Sequence, residues 1–164
     1  MARFNNDRLD RDHRFRPDLL NRLKTRDRNA WISQDELKNE VRDSLVNLFN
    51  STNMGAELDP AVHPEAARSV INYGIAPVFG NYLTTLNWSK LETMLRQAIE
   101  AFEPRIIPES LAIEPAPGPE KDGPGGGRLS FSLRATIRCA SQTMELVLES
   151  DYDRETQKFK LSQK

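Results

Sequence analysis

Residues 129–138 read LSFSLRATIR, and apolar and polar side chains alternate along the whole of this stretch. Strict alternation predicts a β-strand with one buried and one exposed face. A second alternating run follows, in which Met144, Leu146 and Leu148 occupy every other position. We expect the two runs to pair as a hairpin through the short connection at residues 140–142. These strands decide the fold class, because the patterns before them have a different period.

Two further strands are expected beside this hairpin. Residues 106–113 predict a strand that Pro108 interrupts, which favours an edge position or a bulge because proline cannot donate a ladder hydrogen bond. At the other end of the sequence, Phe159 and Leu161 predict a last strand, and we expect it to be an open edge of the sheet.

Three helices are predicted upstream of the sheet. The first begins at the capping box Ser33-Gln34-Asp35-Glu36 and places Leu37, Val41, Leu45 and Leu48 on one face. The second begins at Pro64, runs through Val70 and Ile71, and ends at Gly74. The third has Trp88 near its start, with Asn87 or Ser89 as its cap. Helices followed by strands indicate an α+β domain, with three N-terminal helices packed on one face of a small, mostly antiparallel sheet of three to four strands.

Charge and composition divide the 164 residues unevenly. Residues 1–28 hold nine Arg or Lys against five Asp, although the whole chain has a formal net charge of −1. Few large apolar side chains occur there, so we predict a mobile basic arm at 1–28 and one α+β domain at 29–164. Within the arm, residues 19–23 (LLNRL) predict a short helical turn with an apolar edge that docks on the body or on a partner. A Pro/Gly-rich insert at 114–127 is expected to be flexible.

The run Phe102-Glu103-Pro104-Arg105 breaks local rules at the end of the third helix. Pro104 stops the helix, and Glu103 is an unfavourable residue for a helix C-terminus, which prefers cations. Such an inconsistency is typical of functional positions. We expect Glu103 and Arg105 to be splayed on either side of the proline, ready to meet charges on another surface. The alternative is an ordinary proline stop beside a surface salt bridge.

Catalytic and metal-binding patterns are scarce. His13 and His63 have no ligand-type neighbours at metal spacing, no phosphate-binding glycine loop precedes a helix, and neither a metal nor a cofactor is expected. Paired carboxylates suit glycoside hydrolysis, and the candidates by type are Glu100, Glu103 and Glu109. The single Cys139 lies on the buried face of the strand pattern, so we expect an inert thiol.

The composition also bears on whether the protein binds nucleic acid or a membrane. A basic arm is compatible with nucleic acid, but its arginines are interleaved with aspartates, so no nucleic-acid partner is expected. No stretch approaches the roughly 20 apolar residues of a membrane span, and the start of the sequence lacks the apolar core of a secretory signal. A cytoplasmic location without membrane insertion is therefore expected.

Three motifs occur in order: LLNRL at 19–23, SVINYG at 69–74 and FEPRI at 102–106. Together they resemble the TssE family of type VI secretion baseplate subunits, which is related to the phage baseplate wedge (GPW) family. The resemblance covers residues 19–161 and implies the same α+β fold. It implies that Glu103, Pro104 and Arg105 dock on a partner and that Asn72, Tyr73 and Gly74, with Phe102, form a structural motif.

The same resemblance implies a structural subunit with no enzymatic activity. Its partners would be the wedge proteins TssF and TssG, with TssK as a further candidate, and the sheath proteins TssB and TssC. Such a subunit would work in the bacterial cytoplasm, in a baseplate at the inner face of the envelope, where it templates sheath assembly. A lysozyme-like peptidoglycan hydrolase and a nucleic-acid-binding module are the alternatives.

Overall fold

The computed structural model describes residues 15–25, 31–55, 57–59, 61–77, 88–116, 129–139, 142–153, 156 and 158–164. Within these residues, four antiparallel strands form one sheet in the order β1-β2-β3-β4, and the helices precede it, so the predicted α+β class is confirmed. The strands are β1 (Ala112–Pro115), β2 (Leu129–Arg138), β3 (Thr143–Asp153) and β4 (Lys158–Gln163).

The predicted alternation appears in the two central strands. Phe131, Leu133, Ala135 and Ile137 of β2 are buried, and so are the three apolar residues predicted in β3, Met144, Leu146 and Leu148. Leu133 lies opposite Leu148, which aligns the inward-facing sets of the two strands. This register is strongly specified, because a slip of one residue would turn every apolar side chain to the other face.

The strand predicted at 106–113 is shorter than expected. Ile106 makes only an isolated bridge to Ile137, and Pro108–Ser110 form a 3₁₀ turn before β1 begins at Ala112. Proline starts such a turn easily because its φ is preset and its missing amide proton is not needed there. The predicted edge position is right, since β1 is an outer strand of the sheet.

Two long helices form the second layer. The helices are α1 (Leu19–Thr25), α2 (Gln34–Phe49), α3 (Pro64–Arg68) and α4 (Trp88–Phe102). Helix α2 contacts α4 and β4, and α4 contacts β1. Val41 and Leu45 of α2 and Leu95 of α4 are completely buried, as the periodic spacing predicts. The rings of Phe49, Phe131 and Phe159 meet at tilted or edge-on angles with centroids 5.8 to 6.4 Å apart, which ties α2 to the sheet.

The second predicted helix is wrong in its extent. Helix α3 ends at Arg68, Ser69 is extended, and Val70–Asn72 form a separate 3₁₀ turn. The Ser69 hydroxyl donates to the carbonyl of Ala66 (2.9 Å) and accepts from the amide of Ile71 (3.3 Å). A serine that bonds nearby backbone in this way competes with helix continuation. Helix α3 has no buried residue, so among the helices of the described ranges only α2 and α4 contribute buried residues to the core, not the three predicted.

Part of the predicted arm lies against the body. Phe15 is buried with Leu37 and Met144, and its backbone bridges Ile32. Residues 1–14 and 26–30 lie outside the described residues, so the boundary at residue 28 stays a prediction. Of the insert predicted at 114–127, Glu114 and Pro115 pair with β2, and residues 117–128 lie outside the described range.

The predicted capping box at the start of α2 is present. The Ser33 hydroxyl accepts from the amide of Glu36, and the Glu36 carboxylate accepts from the Ser33 amide at 2.7 Å. We predict that Ser33→Ala destabilises the fold by about 1 kcal/mol, because it leaves helix amides without a cap. Urea unfolding measures this loss. Ser33→Thr, which keeps the oxygen, is the control and should retain most of the stability.

The same box predicts a pH dependence. Hydrogen bonds from the Ser33 amide and hydroxyl lower the pKa of Glu36 below its ordinary value of 4.5. The ionised carboxylate therefore stabilises the fold above pH 4.5, and this contribution is lost as the pH falls through the lower pKa of the folded state. Glu36→Gln should reduce the loss of stability across that acidic interval. Equal pH profiles for the two proteins would contradict the assignment.

Candidate functional site

The Glu-Pro-Arg corner, residues 103–105, is a tight turn that joins α4 to the sheet. The Glu103 amide makes the last helical hydrogen bond, to Ile99 (2.8 Å), and the Ile106 amide then donates to the Glu103 carbonyl (3.1 Å). Pro104 occupies the second position of this turn, where its preset φ is favourable. The Arg138 amide donates to the carbonyl of Arg105 at 2.7 Å, so the corner is fixed to β2.

The acid and the base of the corner bind each other. Glu103 is 3% exposed, and Arg105 donates from Nε to its Oε1 (2.7 Å) and from Nη2 to its Oε2 (2.8 Å). The side chains are therefore not splayed as expected. A buried carboxylate needs a hydrogen-bonded countercharge, and the rigid turn brings the guanidinium within bidentate reach. Pro104 is exposed at the tip of the turn.

Arg105 is partly exposed and also faces a second carboxylate. Its side chain is 28% exposed, and Nη1 lies 3.9 Å from Oε2 of Glu40 on α2. The hydrogen bonds to Glu103 raise the pKa of Arg105 above its ordinary value, and the charges of Glu103, Glu40 and Asp18 act in the same direction, against the effect of burial. The guanidinium is thus held in one orientation. Its Nη1 is less tightly engaged by Glu40 than Nε and Nη2 are by Glu103.

The two motifs predicted from separate parts of the sequence come together here. The ring of Tyr73 packs edge-on against Phe102, with ring centroids 5.2 Å apart. Partial burial raises the pKa of the Tyr73 hydroxyl, and the negative charge of Glu103 raises it further. Tyr73 therefore lies beside the corner, and its neutral phenol is the stable form.

Asn72 and Gly74 hold the loop that carries Tyr73. The Asn72 side chain accepts from the Met54 amide (3.1 Å) and donates to the carbonyl of Ala67 (3.0 Å). Gly74 has φ +121°, and a Cβ there would lie 2.2 Å from the backbone oxygen of Ser51. Its expected role as a helix stop is wrong, because α3 has already ended. Glycine is required here for close approach to another chain segment.

Glu40 is a site residue that the sequence reasoning missed. Its side chain is 10% exposed, and its carboxylate accepts from the Asp18 amide (3.1 Å) and from Nδ2 of Asn21 (2.8 Å) while facing Arg105. The signal was an acid one turn after Leu37, beside the apolar face of α2. A charge at such a position is seldom buried without a partner.

The residues proposed for other chemistries are not brought together. Glu100 and Glu109 are exposed, and both oxygens of Glu103 are engaged by Arg105, so none of these carboxylates stands opposite another in an apolar enclosure. His63 is exposed, and His13 lies outside the described residues. Within the described ranges, no group of three potential ligands is placed to hold a metal ion.

The remaining expectations concern a thiol and the membrane. Cys139 is half-buried, and burial raises the pKa of its thiol, which keeps the less nucleophilic protonated form. No helix in the described part of the chain has the length and apolar character needed to cross a bilayer.

The corner is therefore a rigid turn with an exposed proline tip and a guanidinium held by two hydrogen bonds. Residues 35–142 match the family model described as baseplate wedge protein gp25. Because this match covers about two thirds of the chain and includes both motifs, the chain belongs to the gp25 family of phage-like baseplate structural proteins. No curated protein and no solved structure matches the chain.

The corner's ion pair predicts a stability difference. Arg105→Gln should destabilise the fold by about 3 kcal/mol, because it leaves the buried Glu103 carboxylate without its countercharge. The matched control is Arg42→Gln, which breaks the exposed pair with Asp43 and should cost less than about 1 kcal/mol. Urea unfolding measures both, and equal losses would contradict the structural role of the pair.

A pair of glycine variants tests the loop that carries Tyr73. Gly74→Ala should cost about 2 kcal/mol or more, because the new methyl group meets the backbone of Ser51 at a strained φ. Gly55→Ala is the control, since its Cβ would meet only the adjustable side chain of Asn53 at 3.0 Å. Thermal unfolding compares the two. A Gly74→Ala protein as stable as the control would show that the loop does not need this glycine.

Proposed function

We propose that the protein is a type VI secretion baseplate subunit, which docks on a wedge core of TssF and TssG through the Glu-Pro-Arg corner. TssK is a further candidate in the same assembly, which would lie in the cytoplasm at the inner face of the bacterial envelope. The observation that carries this proposal is the meeting of the Asn-Tyr-Gly and Glu-Pro-Arg motifs, with Tyr73 packed on Phe102 beside Glu103 and Arg105. Membership of the gp25 family supports it.

The geometry assigns different roles to the three corner residues. Glu103 is buried and orients Arg105, whereas Pro104 is exposed and the Arg105 side chain is 28% exposed. A carboxylate of the partner that approached Nη1 more closely than the 3.9 Å of Glu40 would form the stronger contact. Because the guanidinium is already held in place, little side-chain entropy is lost on docking.

This function is non-enzymatic. The corner offers a fixed charge and a rigid proline tip, which is a recognition surface rather than a reactive centre. Affinity in a large assembly comes from several modest contacts acting together, so a small subunit needs no deep pocket.

Contact with the sheath proteins TssB and TssC would use the open edge at β4. The side chain of Asn50 already occupies the edge at Phe159, where it accepts from the amide (2.8 Å) and donates to the carbonyl (3.0 Å). The amide of Lys164 points the other way, to Val147 of β3, so by alternation the backbone groups of Leu161 are directed toward the open edge. A strand from a neighbouring protein would pair from Leu161 onward.

Exchanging the corner charges tests the docking proposal. The double variant Glu103→Arg/Arg105→Glu retains an internal ion pair but reverses the charge offered to the partner. We expect it to stay folded by circular dichroism and to lose co-purification with TssF and TssG. Arg134→Glu, which reverses an exposed charge on β2, is the control and should bind normally. Wild-type recovery of the partners by the double variant would mean that the corner acts only as an internal brace.

A proline at the open edge tests the sheath proposal. Leu161→Pro removes an amide that faces away from β3, so an edge strand should tolerate it. We expect a folded protein that no longer binds a TssB–TssC complex in a pull-down assay. Leu161→Ala changes the side chain but keeps the amide, and it should bind. If Leu161→Pro binds equally well, strand addition at this edge is excluded.

A further inference from the structure

Helix α1 exposes an apolar surface that the corner does not account for. Leu19, Leu20 and Leu23 are 69%, 61% and 71% exposed. We call these three side chains the leucine face. A seven-residue helix is marginal by itself, so its order depends on what anchors it.

Polar contacts anchor the opposite side of this helix. The side chain of Asp18 accepts from the Asn21 amide (2.7 Å) at the start of α1, and Asp18 and Asn21 both donate to the Glu40 carboxylate. The side that lies on the body is therefore polar, and the side turned outward is apolar. This is the reverse of a helix that merely covers its own core.

Glu40 links the leucine face to the Glu-Pro-Arg corner. Its Oε2 accepts from the Asp18 amide at 3.1 Å and lies 3.9 Å from Nη1 of Arg105. One carboxylate, itself only 10% exposed, therefore anchors α1 and faces Nη1 of Arg105. The leucine face and the corner are thus held by the same side chain.

Charge indicates what the leucine face would meet. Arg22 and Lys24 lie in the last turn of α1, and the exposed Arg16 precedes the helix. Arg105 faces the Glu40 carboxylate that anchors α1. A partner surface that covers the leucines among these cations needs an apolar centre and an acidic rim. The carboxylate that a partner would supply to Arg105 is also negative, so an acidic surface suits both the corner and the surroundings of the leucine face.

We infer that the leucine face and the Glu-Pro-Arg corner are two halves of one docking surface, which binds an apolar, acidic-rimmed surface on a single partner. Glu40 is the positioning residue that holds the halves in register. This inference rests on the proposed function, since it assigns the leucine face to the partner that the corner binds.

The test measures the affinity of the full-length chain for purified TssF–TssG by calorimetric titration. Leu19→Ser/Leu23→Ser should weaken binding about 100-fold, because two leucines lose their burial in the complex. The thermal stability of the isolated chain should not change. Val62→Ser is the matched control, as Val62 is 64% exposed elsewhere, and it should bind as the wild type does.

A double-mutant cycle tests the role of Glu40. Glu40→Gln should weaken binding, because the loss of α1 from the docking surface outweighs the removal of a charge that competes for Nη1 of Arg105. Combined with Leu19→Ser/Leu23→Ser, its effect should be smaller than the product of the separate effects. Each change already removes α1 from the docking surface, so the losses overlap. Independent, multiplicative losses would overturn the coupling.

The outcomes separate this inference from the proposed function. Normal binding by the leucine variant, with lost binding by the corner exchange, would overturn the inference and leave the corner intact. Normal binding by both would refute docking through the corner and overturn the inference with it. A lower melting temperature of the leucine variant would mean that the chain itself covers the leucines. A change of oligomeric state in light scattering would assign them to a second copy. Either of these last two results also overturns the inference.

Discussion

Glu103 is a carboxylate with almost no access to water at the end of a helix whose dipole disfavours it, and the bidentate bond from Arg105 is what stabilises it there. The two residues are separated only by Pro104, whose ring limits the turn to conformations that bring them together. The first residues beyond the turn then enter the sheet, where the Ile107 amide donates to Thr136 at 2.9 Å. Without the ion pair, the path from α4 into the sheet would have a buried charge at its centre.

The same interaction organises the surface around it. Tyr73 packs on Phe102, the neighbour of Glu103, and Glu40 of α2 faces the guanidinium of Arg105, so segments far apart in sequence converge on the corner. Arg suits this position better than Lys because its planar group binds a carboxylate with two nitrogens and still presents a third. The corner therefore combines a closed internal ion pair with a guanidinium that has a third nitrogen in a longer contact. The gp25 family match, which includes both motifs, agrees with such a structural role.

Much of the fold could be predicted from the period of the apolar residues and from helix capping. The alternation in β2 and β3, the capping box of α2 and the buried faces of both long helices follow from local rules, and they suffice for the α+β class. What could not be predicted depends on contacts across the fold. Helix α3 ends where the hydroxyl of Ser69 bonds to nearby backbone. Position 74 must be glycine because it lies against the backbone of Ser51, more than twenty positions earlier. No local pattern distinguishes Glu103 from a surface charge, because its burial depends on contacts across the fold.

Whether Glu103 and Arg105 are splayed apart or closed on each other changes how the corner can bind a partner. A splayed acid and base would each contribute an independent, solvent-screened contact to a partner, and exposed contacts of that kind are weak. A closed pair offers one oriented cation. Much of the free-energy cost of removing this cation from water is already incurred when the protein folds. The remaining interaction at 3.9 Å with Glu40 is long enough for a partner's carboxylate to compete with it. Docking would then exchange one ion pair for another at a group that need not move, so specificity depends on the geometry of the turn rather than on the number of charges.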